Sequence, residues 1–389
     1  MSLTVGIPRE TYPGERRVAL TPKACDSLLK GKLDIIVEYN AGIEAGFTDE
    51  EYARRGVRLG SRVEVFAAAD IVAQARTGGA NPVHGSSDVP LMRPGQILIG
   101  FGDPLTSISE CATLAEAGVS FFAMELVPRI TRAQAMDALS SMASIAGYEA
   151  VLIAASTLPK MFPMMMTAAG TITPAKVLVL GAGVAGLQAI ATARRLGAVV
   201  SAYDLRAAVK EQIESLGAKF VVLDLDASAA EGGGGYAKAM DEAFYRRQRE
   251  LLTEVLKEQD VVITTAAVPG RKAPILVTAQ MAEAMMPGSV IVDIAAERGG
   301  NCELTQAGET IVHRGVTIAG PVNLASRAPS HASQMYATNI VNLLKLMLKD
   351  GAIAINLEDE VIRETIVTHE GKVVNPRVGA LMTQEVASS

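Results

Sequence analysis

The sequence contains no tryptophan, and its eight tyrosines and eight phenylalanines leave aromatics at only 4% of 389 residues. A chain this poor in aromatics and still 49% apolar must build its cores from Val, Ile, Leu and Ala, the composition of parallel sheets buried on both faces. Three cysteines, Cys25, Cys111 and Cys302, stand far apart with no Cys-x-x-Cys spacing. They read as reduced cytosolic thiols and exclude a disulfide framework or a cysteine-based zinc site. His84, His313, His331 and His369 are equally scattered, so no metal is expected. A net charge of −6 speaks against nucleic acid or an anionic membrane as a direct partner. The opening "MSLTVGIPRE" has no apolar signal-peptide core. No window reaches the roughly 18 uninterrupted apolar residues of a membrane span. The nearest approach is read at 150–170, "AVLIAASTLPKMFPMMMTAAG", broken by Lys160 and two prolines, with Met164–Met166 as core filler.

What the sequence does contain is organised around 177–204, "VLVLGAGVAGLQAIATARRLGAVVSAYD". An apolar strand, a Gly-x-Gly-x-x-Gly turn, a helix with Val184, Leu187, Ile190 and Ala191 on one face, a second strand and an acid follow in order, which is the dinucleotide-binding fingerprint. Gly181 permits the tight turn, Gly183 lets backbone approach a pyrophosphate, and Gly186 allows close helix–strand packing, while the helix N-terminus offers free N–H groups. Asp204, at the end of the second strand, is placed to accept both ribose hydroxyls and favours NAD over NADP. Arg206 tempers that preference, because a guanidinium there could reach a 2′-phosphate.

At this length two to three domains are expected. Strands at 4–8, 34–39, 70–74, 96–101 and 120–125 alternate with helices near 22–30 and 49–55, which predicts a parallel sheet. The stretch 77–90 reads as an exposed loop, and a long helix starting near Arg132 leads into a second unit. There the fingerprint is followed by strands at 219–225, 260–266, 289–295 and 315–320, enough for a complete doubly wound sheet. Gly232 to Gly235, with Tyr236 at the tip, form either a mobile lid or a plain surface loop before an amphipathic helix. A helix from about Ser330 follows as a buried strut. The domains are therefore placed at 1–137 plus 330–389 and at 138–329.

The segments "VGIPRETYPGERRVALTP" (5–22) and "GAGVAGLQAIATARRLGAVVSAYDLR" resemble the alanine dehydrogenase and proton-translocating nicotinamide nucleotide transhydrogenase superfamily over nearly the whole chain. The transhydrogenase branch is favoured by "PRITRAQAMD", by "DLRAAVKEQIESLGAKF", and by "GGYAK" followed by "RRQ". The alanine dehydrogenase branch matches at Arg17, but its substrate lysine aligns with Arg76 and its catalytic histidine near Asp103, which leaves no imidazole to take a proton. Glu297 also stands where that branch has an Asp. The resemblance implies an α/β fold of two Rossmann-like doubly wound parallel-sheet domains with a cleft between them. It implies an NAD(H)-binding component of a proton-translocating, Si/Re-specific NAD(P) transhydrogenase, passing hydride from NADH to NADP(H) held on a partner subunit. Such a component is a homodimer, active only with its NADP-binding and membrane-spanning partners, and cytoplasmic at the inner face of the membrane. Arg129, Gln134 and Asp137 would be the catalytic set. The cofactor would also meet Ile130, Thr131, Ala135, Met136 and Ser140; Gly181, Gly183, Val184 and Gly186; Asp204, Leu205 and Arg206; and Gly235, Tyr236, Gln248 and Ala267. Two alternatives remain open on sequence: an amino- or oxo-acid dehydrogenase acting alone, and a non-catalytic NAD-binding module.

Overall fold

Short Val/Ile-rich runs become the strands of two separate sheets, each belonging to its own part of the chain. The computed structural model describes residues 2–224, 242–268, 270–349 and 351–388. The chain divides into two compact units, residues 1–142 with 326–389, and residues 143–325. Gly235, Tyr236 and the whole glycine run lie outside the described residues.

In the first unit an eight-stranded sheet runs Lys372–Val373, Ile366–His369, Ser120–Ala123, Ile97–Phe101, Ile71–Arg76, Thr4–Ile7, Asp34–Glu38, Arg58–Gly60. The last six are parallel, and the hairpin near the C-terminus adds an antiparallel edge on Ser120–Ala123. Helices start where the sequence supplies caps. Thr48 with Glu51 and Ser61 with Glu64 form capping boxes for Asp49–Ala53 and Arg62–Ala68, each worth about 1 kcal/mol. The second unit holds a seven-stranded sheet ordered Lys219–Phe220, Val199–Tyr203, Lys176–Leu180, Val261–Thr264, Val290–Asp293, Val316–Ala319, Thr310–His313. All neighbours are parallel except the Thr310–His313 edge strand, which has no counterpart among the strands read from sequence. Its central strands are buried on both faces, by Val177, Val179, Val261 and Ile263 on one side and Leu178, Leu180, Val262 and Ile291 on the other.

Several expectations change. The long helix begins at Ala138, not Arg132, because Thr131–Met136 forms a 3-10 turn. That helix, Ala138–Thr157, is the one among the described residues that is long and apolar enough to cross a membrane by length and composition, so the nearest approach lies upstream of the stretch read at 150–170. Its Ala150, Val151 and Ala154 are buried in the second unit's core, as in a core helix. The Met164–Met166 run is not core filler. It forms a hairpin, Met165–Thr167 with Gly170–Ile172, in which every strand residue is exposed and Met166 reaches 75% exposure. The 77–90 stretch is not a free loop, since Asp88 is 2% exposed and takes the forked guanidinium of Arg62 at 2.8 and 2.6 Å. The strand expected over 219–225 stops at Phe220, and Val222 is exposed.

Candidate nucleotide site

In an open parallel sheet a ligand crevice lies outside the carboxyl ends of the strands where the order reverses. In the second unit that point falls between Lys176–Leu180 and Val261–Thr264, and the glycine turn sits on it. Gly181 has φ +98°, a left-handed value that disfavours any side chain, and its N–H donates to the Tyr203 carbonyl at 2.8 Å. A Cβ on Gly186 would stand 1.9 Å from the Gly181 carbonyl oxygen, whereas a Cβ on Gly183 would meet nothing within 4 Å. The third glycine is thus required by internal packing, and the second faces open space. Gly183 precedes the helix Val184–Arg195 without a side-chain cap, leaving first-turn N–H groups and the positive helix end for an anion. Val184 is exposed at this helix start. These residues fit a dinucleotide pyrophosphate: an open glycine, an uncapped helix end and a strand-end acid converge.

Support for the turn comes from residues whose spacing in the sequence gives no sign of the role. Gly147 lets the preceding helix pass close by, since a Cβ there would lie 2.1 Å from the Ala185 carbonyl oxygen. Thr265 donates to the Gly181 carbonyl at 3.0 Å. Asn301 fixes the loop carrying exposed Ala267 by accepting from Ala266 N–H at 2.9 Å and donating to the Ala266 and Pro274 carbonyls at 2.8 Å each. Asp293, fully buried, accepts from Thr264, Thr305 and the N–H groups of Ala295, Asn301 and Cys302. A buried carboxylate at a strand end is the signal that could have found it.

Asp204 is 9% exposed and is held inside the protein. Its Oδ2 accepts from Ala182 N–H at 2.7 Å and Arg206 Nη2 at 2.9 Å, and its Oδ1 from Arg206 N–H at 2.8 Å and Nε at 3.0 Å. Leu205, between them, packs against the core. Gln248, on the helix Glu242–Leu256, is 2% exposed and donates to the Tyr203 hydroxyl at 2.8 Å. The structure thus places it as a buried tie to the second strand. Burial raises the Tyr203 phenol above its ordinary value against that bond.

The other candidate set lies in the first unit. Arg129, Thr131, Gln134 and Ala135 are exposed, Ile130 and Asp137 half-buried, and Met136 buried. The Asp137 carboxylate accepts from Ser140 N–H at 2.8 Å and Ser140 Oγ at 2.6 Å, so it closes the start of the long helix. Two ties that sequence reasoning misses hold the Thr131–Met136 turn. Arg132 forks onto Asp359 at 3.0 and 2.9 Å, and Asn339 Nδ2 donates to the Ala135 carbonyl at 2.9 Å. The turn therefore presents Gln134 outward from an anchored backbone.

The first unit has its own reversal point, between Thr4–Ile7 and Ile71–Arg76, and there the protein's own acids fill it. Glu10 accepts from the N–H groups of Ala75 and Arg76 at 2.5 and 3.1 Å. Burial and the neighbouring Glu15 charge push its carboxyl up to about 8. Glu15 takes Arg17 Nε at 2.7 Å and Nη2 at 2.6 Å, and Arg76 Nε at 3.1 Å. Burial would raise Glu15, yet the charge and hydrogen bonds of Arg17, with Arg76, bring it down to about 2. The four histidines stay apart in the fold: His369 bonds Ser120 and His313 bonds Glu283, while His84 and His331 are exposed on a loop and a helix start.

Comparison with known proteins gives two domain matches. Residues 6–146 match the family described as alanine dehydrogenase/PNT, N-terminal domain, and 150–376 its C-terminal domain. The chain is 44% identical over 378 residues to an NAD(P) transhydrogenase subunit alpha chain of Rhodospirillum rubrum, covering 96% of this chain and 98% of that one. The crystal structure of transhydrogenase from Sinorhizobium meliloti superposes with a TM-score of 0.86 at 44% identity, covering 95% and 100%. Alanine dehydrogenase of Mycobacterium tuberculosis is 28% identical over 385 residues, 97% and 96% covered.

Proposed function

The chain belongs to the alanine dehydrogenase/PNT family through both of its domains, and from that premise we propose that it is the NAD(H)-binding component of an NAD(P) transhydrogenase. NADH, when bound, supplies the hydride, which passes directly to NADP held on a partner subunit. The observation that carries this reading is similarity over 96% of the chain to a transhydrogenase subunit at 44% identity, against 28% for an alanine dehydrogenase. The chemistry agrees. Hydride moving between two nicotinamides needs no general acid or base; it needs groups that align the two rings and keep water away.

The second unit holds the adenosine and pyrophosphate end through Gly181, Gly183, Gly186 and Asp204. The anchored Arg129–Asp137 segment acts on the nicotinamide ribose. Gln134 bonds the ribose and reaches toward the second nucleotide, Asp137 holds ribose hydroxyls or water, and Arg129 orients the turn through Asp137. An amino- or oxo-acid dehydrogenase acting alone would offer Arg17 and Arg76 to a substrate carboxylate. Both guanidiniums here already engage Glu15, and Asp103 stands where the resemblance puts that branch's histidine. The complex is read as proton-translocating, with NADP-binding and membrane-spanning partners, the chain lying against the inner face of the membrane through them. A homodimer belongs to the same reading, supported by the exposed Met164, Met165, Met166 and Ile172 of the hairpin, a surface unusual for a free chain.

The test mixes the purified chain with a separately produced NADP-binding transhydrogenase component and follows NADP reduction by NADH, then offers alanine and NAD to the chain alone. Transfer that requires both proteins is expected. Alanine-dependent NAD reduction without the partner, and no transfer with it, overturns the proposal.

A further inference from the structure

We infer that Asp204 masks Arg206, so that the choice of NAD over NADP is made by this internal ion pair and not by carboxylate repulsion alone. The inference rests on the NAD(H) reading above. Read as sequence, Asp204 and Arg206 are opposed signals, one for a ribose hydroxyl and one for a 2′-phosphate. The geometry joins them. Each carboxylate oxygen accepts two hydrogen bonds, from Ala182 N–H and Arg206 Nη2 on one side and from Arg206 N–H and Nε on the other. An ionised carboxylate has about four acceptor positions, so Asp204 is filled by the protein itself. The guanidinium in turn presents Nε and one Nη to the acid in a planar fork, the arrangement it would otherwise offer to a phosphate.

Two consequences follow. A ribose hydroxyl reaches Asp204 only as the Arg206 fork gives way, so the guanidinium competes with NAD for the acid. A 2′-phosphate meets an arginine whose charge is already balanced by a buried partner, which removes the attraction that Arg206 would supply if free. Arg206 sits just before the turn Ala207–Val209, with Leu205 packed into the core on its N-terminal side, so its backbone stays at the strand end when the side chain is released.

The test is equilibrium binding of NADH and NADPH, read by nicotinamide fluorescence, to the full chain and to Asp204→Asn, Arg206→Met and the double variant. Asn is chosen because its amide oxygen still accepts from Ala182 N–H, and thermal unfolding checks that the second unit stays folded. Asp204→Asn is expected to weaken NADH and to strengthen NADPH about tenfold, the scale of one charge-assisted hydrogen bond regained. The double variant loses that gain. Arg206→Met, which frees the acid, binds NADH at least as tightly as the wild type and NADPH more weakly. If Asp204→Asn gains no NADPH affinity, or the gain survives in the double variant, the mask is refuted while NADH binding by the wild type leaves the NAD(H) reading standing. If the wild type fails to bind NADH, that reading falls and the mask with it.

Discussion

Replacing Glu125 by Gln should change how the first unit's stability depends on pH, and the structure gives both sign and size. Glu125 lies in the turn Met124–Leu126 at the end of Ser120–Ala123. Its Oε1 accepts from the N–H groups of Gly102 and Asp103 at 2.8 and 2.5 Å, and its buried Oε2 has no hydrogen-bond partner among the described residues. Burial, with the nearby charge of Asp103, raises the carboxyl from 4.5 to about 7. Below pH 4.5 both folded and unfolded chains hold this proton, and the group's contribution is intact. Between pH 4.5 and 7 only the folded chain holds it, so stability falls as pH rises, reaching a plateau above 7. At about 1.4 kcal/mol per tenfold the full loss is roughly 3 kcal/mol, a ceiling. Gln keeps the oxygen that accepts both N–H groups and never ionises. Urea unfolding of both proteins at pH 5 and pH 8 should show an advantage for Glu125→Gln that is small at pH 5 and grows by up to that amount at pH 8. Glu10 and Glu15 titrate alike in both proteins and drop out of the difference. An offset that is the same at both pH values refutes the reasoning.

Gly186→Ala drives a methyl into the Gly181 carbonyl, and should destabilise the second unit by about 1–3 kcal/mol and abolish NADH binding in a fluorescence titration. Gly183→Ala, with open space at its Cβ, should keep the thermal midpoint and still lose NADH affinity, because the methyl stands where a pyrophosphate approaches. Asn339→Leu removes the donor to the Ala135 carbonyl, worth about 1 kcal/mol. Stopped-flow transfer to the partner component should slow roughly fivefold, with NADH affinity nearly unchanged. Met166→Asp places a charge on the exposed hairpin. Sedimentation should show the dimer dissociation constant rise roughly tenfold or more, while NADH binding by each chain persists.

The fold class was legible because its signals are local. Strand runs such as "DIIVEY" and "QILIGF" carry their burial in their own composition, and the helix starts at Pro22 and Asp49 carry their caps within three residues. The fingerprint was legible for the same reason: Gly181, Gly183 and Gly186 act on one another across a single turn, and the demands of φ and of the Gly186–Gly181 contact are written into their spacing. Three overly generous readings share an opposite cause. Met164–Met166 looks like core by hydropathy, yet a two-stranded hairpin with no third layer leaves it exposed. The 77–90 stretch looks like loop by its Gly, Ser and Pro content, yet Asp88 is drawn in by Arg62 from another element. Gln248 looks like a ligand contact, yet it reaches Tyr203, 45 residues away in sequence.

The two reversal points sharpen this distinction. Both units have a strand order that reverses beside the first strand of the sheet, and topology alone would give each a ligand crevice. The second unit keeps its crevice open with glycine, a device that needs only neighbouring residues. The first closes its own with Glu10 on the N–H groups of Ala75 and Arg76, 65 and 66 residues downstream, and with Glu15 on Arg17 and Arg76. No spacing rule covers such pairings, because each depends on which strands become neighbours. The same logic applies at Asp204, where the acid is visible in sequence and its partner is only two residues away, yet nothing in spacing says whether Arg206 faces a ligand or turns back on the acid. Side-chain direction decides it, and with it which nucleotide the fingerprint admits.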